Sequence, residues 1–263
     1  MHSQINFGYP WQISYAHLIL AAILLALFAL GWKLHWRKFA LALLGAAALW
    51  ALAAGIIVRF GIDLNGRATM PTAAFLPSGE GRVLDMGAGT GRSTLMVLES
   101  RPRTTVVALD LFGESYEGHF GPPPPGQSTL DEGRAALLRN MRAAGVEQRV
   151  TIQPGDMRHM PLESNSFDAI VSAYAIDHLG LQGIQEALAE ANRVLMPGGQ
   201  FLLMVIAKDR WMMFTFGPLL AHTHMIAADF WPRKLREAGF QILEEGTQPV
   251  TKYILARKTS ALP

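Results

Sequence analysis

The chain has 263 residues, no cysteine, a formal net charge of +2 and a mean hydropathy of +0.20, and 17% of its residues are charged, against about 25% in ordinary soluble domains. Without cysteine there are no disulfides, thiolate metal sites or cysteine nucleophiles. Residues 1–60 hold no Asp or Glu and four cations (Lys33, Arg37, Lys38, Arg59); removing these from totals of 23 basic and 21 acidic leaves 19 against 21 in residues 61–263, a net of −2 that excludes a broadly basic nucleic-acid surface.

From Ile13 to Trp32 the chain reads ISYAHLILAAILLALFALGW, uncharged and interrupted by His17. From Phe39 to Val58 it reads FALALLGAAALWALAAGIIV, uncharged throughout. As a helix, each run of about 20 residues rises ~30 Å, the thickness of a bilayer's hydrocarbon core. Trp11, Tyr15, Trp32 and Trp36 fall near the run ends, where amphipathic rings favour the headgroup layer. The basic link Lys33–Lys38 suits a helical hairpin. Residues 1–60 are therefore expected to be a membrane anchor with two transmembrane helices, at about 13–32 and 39–58. Met1–Gln12 lacks a positive n-region and a second span follows, which argues against a cleaved signal peptide. Two buried core helices of a larger soluble fold are the competing reading.

Residues 61–80, with Pro71 and Pro77, read as a connector. Beyond them come apolar, β-rich runs at Arg82–Met86, Thr104–Asp110, Arg149–Gln153, Phe167–Ser172, Gln200–Ile206, Gln241–Glu245 and Thr251–Ala256. Helical spacing of apolar residues marks Arg92–Glu99, Thr129–Ala144 and Leu181–Val194 between the early ones. Such alternation implies an α/β domain over residues 81–263, a Rossmann-like, mostly parallel seven-stranded sheet with an antiparallel edge hairpin from the last two runs. Two stretches stand apart: Leu111–Gln127 with its Pro122–Pro125 run, and Lys208–Ala228, rich in Met, Phe, Trp and His.

The segment Val83-Leu84-Asp85-Met86-Gly87-Ala88-Gly89-Thr90-Gly91-Arg92 is a strand, a glycine loop and a helix start. In an open α/β sheet this loop lies beyond the strands' carboxyl ends, where ligands bind. Its G-x-G-x-G spacing, with Arg92 where a final glycine would stand, fails the dinucleotide pattern and argues against an NAD-dependent oxidoreductase. Asp85 beside the loop suits a ligand bearing an ammonium group rather than a phosphate.

In these residues the chain resembles the class I S-adenosylmethionine-dependent methyltransferases, nearest to the branch containing quinone-biosynthesis and other small-molecule enzymes. The resemblance runs over most of residues 80–257, and D-x-G-x-G-x-G is its first motif. It implies that S-adenosylmethionine is the cofactor, with Asp85, Gly87, Ala88, Gly89 and Gly91 in the loop. Asp110, ending Val106–Asp110, matches the acidic residue that holds the ribose hydroxyls, with Leu111 beside it; a carboxylate can accept from both hydroxyls of a diol. Gly155-Asp156-Met157 resembles the segment that receives the adenine amino group. Ser166–Ser172 resembles the fourth strand, with Ala173 and Tyr174 at the methionine end, and Ala191–Gly199 looks like the turn into the fifth.

Methyl transfer needs alignment of two reactants, and a base only where the acceptor carries a proton at the reacting atom. His178, after the fourth strand, is the candidate general base, with fixing of its own loop as the plainer role. Trp211 and Phe214 lie in Trp211–Leu220, too short to span a bilayer; an apolar acceptor pocket, a surface dipping into the membrane and an ordinary core helix are the three readings. His222, His224 and His119 have poor metal-ligand spacing, and no metal is expected.

The expected function is a membrane-anchored methyltransferase acting on a lipophilic small molecule or lipid at an O, N or S atom; a non-catalytic S-adenosylmethionine sensor or docking module is the alternative. The Lys33–Lys38 link favours its own retention in the cytosol, whereas a cofactor made from ATP favours the domain there. The expectation is two spans, with the N-terminus and residues 61–263 facing the cytosol and the link opposite; a shallow hairpin ranks second.

Overall fold

The computed structural model describes residues 5–9, 11–63, 65–112, 130–207, 209–220 and 229–259. They fall into two compact units: one of residues 1–7, 67–207 and 225–263, the other of residues 8–66 and 208–224.

In the first unit seven strands, β1 (Glu80–Met86), β2 (Arg103–Asp110), β3 (Val150–Pro154), β4 (Phe167–Ala173), β5 (Leu195–Ile206), β6 (Phe240–Gln248) and β7 (Thr251–Lys258), form one sheet in the order β3-β2-β1-β4-β5-β7-β6. The first five pair in parallel, whereas β7 runs antiparallel to both β5 and β6. The sheet is thus Rossmann-like and mixed. Of Ala191–Gly199, the expected turn into the fifth strand, residues 191–194 end the preceding helix and 195–199 lie inside β5, where the register jumps from Leu195 opposite Phe167 to Gln200 opposite Ala169. Gly198, at φ 77°, absorbs that bulge.

The helices of this unit are α3 (Arg92–Ser100), α4 (Leu130–Ala143), α5 (Leu181–Val194) and α7 (Phe230–Glu237), numbered after α1 (Trp11–Lys33) and α2 (Lys38–Ile56) of the second unit, which also holds α6 (Arg210–Leu220). The stripe Ile184, Ala187, Leu188, Ala191 of α5 recurs at helical spacing and is buried in one core with Leu84, Met86, Phe201 and Leu203. Trp231 and Leu235 of α7 join it. At the sheet's amino end Asp168 accepts the Arg82 N–H at 2.7 Å, which ties β4 to β1.

A short N-terminal segment also belongs to this unit. The Asn140 amide receives the Asn6 N–H on Oδ1 (3.0 Å) and donates through Nδ2 to the Asn6 carbonyl (2.9 Å) and the Thr90 carbonyl (3.0 Å). The Thr90 hydroxyl donates to the Phe7 carbonyl, and Phe7 is buried. Residues 6 and 7 are thereby strapped to α4 and to the loop just before α3.

The second unit is an antiparallel pair, α1 (Trp11–Lys33) and α2 (Lys38–Ile56), the latter continuing as a wider turn over Ile57–Ile62, with α6 (Arg210–Leu220). Both helices are long and apolar enough to cross a membrane. Small residues dominate the buried face of α2, with Ala48, Ala51, Ala54 and Gly55 beside Leu41, and a Cβ on Gly55 would lie 2.5 Å from Leu18 Cδ2 of α1. Their other faces leave large apolar side chains uncovered, Phe39 at 75% and Leu49 at 68% exposure among them. At the base, Asn65 takes the Tyr9 N–H (3.2 Å) and returns a donor to the Tyr9 carbonyl (2.9 Å). The proline run, His119, His222 and His224 lie outside the described residues.

Asn140→Ala removes three hydrogen bonds from a site 3% exposed and is expected to cost ~1–3 kcal/mol. Chemical denaturation checks the loss, and hydrogen exchange should show the Asn6 amide newly unprotected.

Candidate functional site

The parallel register brings the carboxyl ends of β1, β2 and β3 level, Met86 beside Leu109 and Asp110 beside Pro154. The glycine loop leaves β1 there. Gly87 and Ala88 both donate N–H to the Leu109 carbonyl, at 2.9 and 3.0 Å, pinning the loop to β2. Gly87 adopts φ 86°, and a Cβ on it would lie 2.2 Å from the Ala175 Cβ. Only glycine permits that approach of the loop to the segment after β4.

Asp110 organises the opening. Its Oδ2 accepts the Gly89 N–H and its Oδ1 the Leu111 N–H, each at 2.7 Å. Each oxygen keeps acceptor capacity, and Asp110 lines a cavity of about 720 Å³ with Gly87, Gly89, Leu111 and Phe112. Burial pushes its carboxyl pKa up, and the two N–H donors pull against that shift.

The same cavity is lined by Asp156, Met157, Tyr174 and His178, so the structure gathers most of the sequence-derived candidates in one place. Asp156 is held by Arg158, whose Nε and terminal nitrogen reach both carboxylate oxygens, the shortest at 2.6 Å. Tyr174 sits at φ 54°, an uncommon conformation for a bulky residue. Its N–H donates to the Met204 carbonyl and its hydroxyl meets Thr251 Oγ1 at 2.5 Å. His178 closes a short helical turn, Ile176–His178. The neighbouring Asp177 has its carboxyl pKa raised by burial, against the pull of His178.

Other candidates take different places. Asp85 is fully buried, accepts the Ser93 hydroxyl on both oxygens (2.9 and 2.7 Å) and the Thr94 hydroxyl on Oδ2 (2.6 Å), and so fastens the start of α3 to β1. It does not line the cavity, and its hydrogen bonds serve this internal role. Ala88, Gly91 and Ala173 also lie off the lining: Gly91 caps α3 at φ 90° against Leu137 and Met141, and Ala173 pairs with Met204. Trp211 and Phe214 belong to α6 in the second unit. Sequence reasoning missed Thr90, Phe112, Arg158 and Leu179 on the lining. Thr90 lies inside the quoted loop motif, and Arg158 two residues past Asp156 was the available signal for an ion pair.

Residues 129–203 match a family model described as a methyltransferase domain. Over 165 residues, 63% of this chain and 57% of the relative, the sequence is 32% identical to a ubiquinone/menaquinone biosynthesis C-methyltransferase of Syntrophotalea carbinolica. Identity to a demethylmenaquinone methyltransferase of Thermus thermophilus is 30% over 148 residues, 56% of this chain and 57% of the relative. The chain spans little more than half the length of these relatives. Among solved structures, one from Bacillus halodurans described as a methyltransferase superposes with a TM-score of 0.51 at 19% identity, covering 72% of this chain and 96% of that one. The [4+2]-cyclase SpnF gives 0.50 at 19% identity, covering 70% and 77%.

The fold is that of a class I S-adenosylmethionine-dependent methyltransferase. The site's own geometry fits that cofactor: Asp110 offers half-buried acceptors for a ribose diol, Gly87 and Gly89 leave the backbone bare, and the cavity falls in the size range of small-molecule sites, roughly 300–1,000 Å³.

Asp85 supplies a pH signature. Burial raises its pKa from 3.8 to about 6, with the charge of Asp110 adding to the rise against the Thr94 and Ser93 hydroxyls. A raised folded pKa means the native state holds its proton more tightly, a stabilisation that is full below the unfolded pKa and lost as pH rises through the folded one. Asp85→Asn has no such loss. The difference in Tm, variant minus wild type, should therefore grow from pH 4 to pH 7; a flat difference places the Asp85 titration elsewhere.

Proposed function

We propose that the protein is a membrane-anchored methyltransferase that moves a methyl group from S-adenosylmethionine to a lipophilic small molecule or lipid. The observation that carries this reading is one chain combining the methyltransferase fold with two span-length helices, uncharged over residues 13–32 and 39–58, that leave large apolar faces uncovered. A polar acceptor in bulk water gains nothing from such an anchor.

When bound, S-adenosylmethionine supplies an electrophilic methyl on a positively charged sulfur that leaves as a neutral thioether. The chain's residues align and shield. Asp110 holds the ribose end, Asp156 and Met157 bracket the base, and Tyr174, fixed by Thr251, shapes the methionine end. His178 takes the acceptor's proton on an imidazole nitrogen where the acceptor has one to lose. The relatives named above are C-methyltransferases and demethylmenaquinone methyltransferases, so carbon joins O, N and S as acceptor atom and quinone-like rings lead the candidates. For a ring carbon beside a hydroxyl, removal of the hydroxyl proton raises the carbon's nucleophilicity, and His178 is the base on the cavity wall for that step.

Two spans, with the N-terminus and the domain in the cytosol and Lys33–Lys38 opposite, complete the proposal. Residues 5–7 before the hairpin and residues 67–207 after it belong to the same unit, which supports an even number of crossings by the hairpin. The cofactor's cytosolic origin supports the orientation.

Because SpnF shares the fold and is described as a cyclase, the fold alone does not prove methyl transfer, and a cofactor sensor is the second reading. Lipid extracts incubated with the protein and methyl-labelled cofactor are expected to yield a labelled lipophilic product by mass spectrometry. In single turnover His178→Ala should slow its formation ~10²–10⁴-fold. Cofactor binding with no labelled product in any extract supports the sensor; a His178→Ala rate near wild type leaves His178 with the loop.

A further inference from the structure

The two apolar helices carry very little polar chemistry, and the structure shows what it is used for. Between Ala16 and Gly31 the only side chain able to make a hydrogen bond is His17, and between Phe39 and Ile57 it is Trp50. Both engage the same helix. Trp50 Nε1–H donates to the Phe214 carbonyl at 2.9 Å, and His17 Nε2 meets the Thr215 carbonyl at 2.9 Å. A carbonyl can only accept, so Nε2 carries the proton. The His17 ring stands edge-on to Trp50 and Phe216, with centroids 5.8 and 5.4 Å away.

The choice of carbonyls has a chemical reason. Phe214 would ordinarily receive the N–H of the residue four positions on, which is Pro218 and has none. Water satisfies such a carbonyl at an ordinary surface. In a hydrocarbon layer it must find a donor within the protein, and Trp50 is that donor. Thr215, 1% exposed, turns its own hydroxyl inward to the Trp211 carbonyl at 2.7 Å. Beyond the exposed Arg210 that begins α6, its exposed side chains among the described residues are apolar, Met213 at 51% and Phe214 at 40%, and no charge follows Arg210. In the same unit Ile19, Ile23, Leu49 and Leu52 of α1 and α2 are also exposed. His17 lies about 9 Å along α1 from Trp11 at ~1.5 Å per residue, within the ~5–10 Å depth of interfacial helices.

We infer that α6 is a third membrane-embedded element, docked on the hairpin through His17 and Trp50, with Met213 and Phe214 in the lipid at the headgroup–acyl boundary. This rests on the hairpin being a membrane anchor and extends it. Since α6 follows β5 directly in the chain, the segment after β5 is tied to the bilayer independently of the hairpin's own connections. Of the earlier readings of Trp211–Leu220, this one takes the surface that dips into the membrane.

The native chain has no cysteine, so single labels report cleanly. Full-length protein carrying Met213→Cys, Leu27→Cys or Arg236→Cys is labelled with bimane and reconstituted in phosphatidylcholine vesicles, with a nitroxide on a shallow acyl carbon or with aqueous iodide. The Met213→Cys label is expected to lose emission to the lipid nitroxide, as the Leu27→Cys label does, and to resist iodide, which quenches the Arg236→Cys label. Adding His17→Ala with Trp50→Phe should reverse this at position 213 and leave the Leu27→Cys label unchanged. Lipid quenching at 27 with iodide quenching at 213 overturns the inference and leaves the anchor standing. Iodide quenching at both positions overturns the anchor. Unaltered lipid quenching at 213 in the double variant overturns docking through His17 and Trp50.

Discussion

Two carboxylates at the ends of adjacent strands hold the cofactor domain's working edge together. Asp85 closes β1 from inside, binding the Ser93 and Thr94 hydroxyls and so fixing where α3 begins. Asp110 closes β2 from the cavity side, binding the Gly89 and Leu111 N–H groups. Both charges are desolvated, and among the described residues each is compensated by hydrogen-bond donors. The loop between them is then set from below and from one side, with its backbone bare where a ligand approaches. The remaining lining, from Gly155 through His178, is arranged around that opening by the parallel register of β1 to β4.

Much of this was legible in the residues. The D-x-G-x-G-x-G loop, Asp110 and the alternation of apolar strands with helical stripes are local patterns, and local patterns survive in a linear reading. The hairpin was legible for the same reason, since an uncharged run of about 20 residues has few alternatives. The role of Asp85 was not, because nothing in the order of residues says whether a strand-end carboxylate points to a ligand or to the hydroxyls eight and nine residues on. The bulge in β5 was hidden by Pro197-Gly198-Gly199, which reads equally as a turn before a strand and as an interruption within one.

The contacts that escaped altogether join distant parts of the chain. Asn140 meets Asn6 across 134 residues and His17 meets Thr215 across 198. No periodicity encodes such pairs. Both use single polar side chains in otherwise apolar or helical surroundings, which read in isolation as incidental. Their effect is to make the hairpin an insertion: residues 5–7 before it and residues 67–207 after it belong to one unit, while α6 is bonded to the hairpin it is separated from in sequence.

The central claim is that the cavity at the glycine loop holds S-adenosylmethionine with Asp110 on its ribose. Calorimetric titration of the purified full-length protein with S-adenosylmethionine and its demethylated product tests it most directly. The account predicts binding of both, weakened in Asp110→Ala by about 10- to 150-fold, the equivalent of ~1.5–3 kcal/mol for one charge-assisted contact to a diol. Equal affinity in the wild type and the folded variant would contradict it, as would binding of NAD in their place.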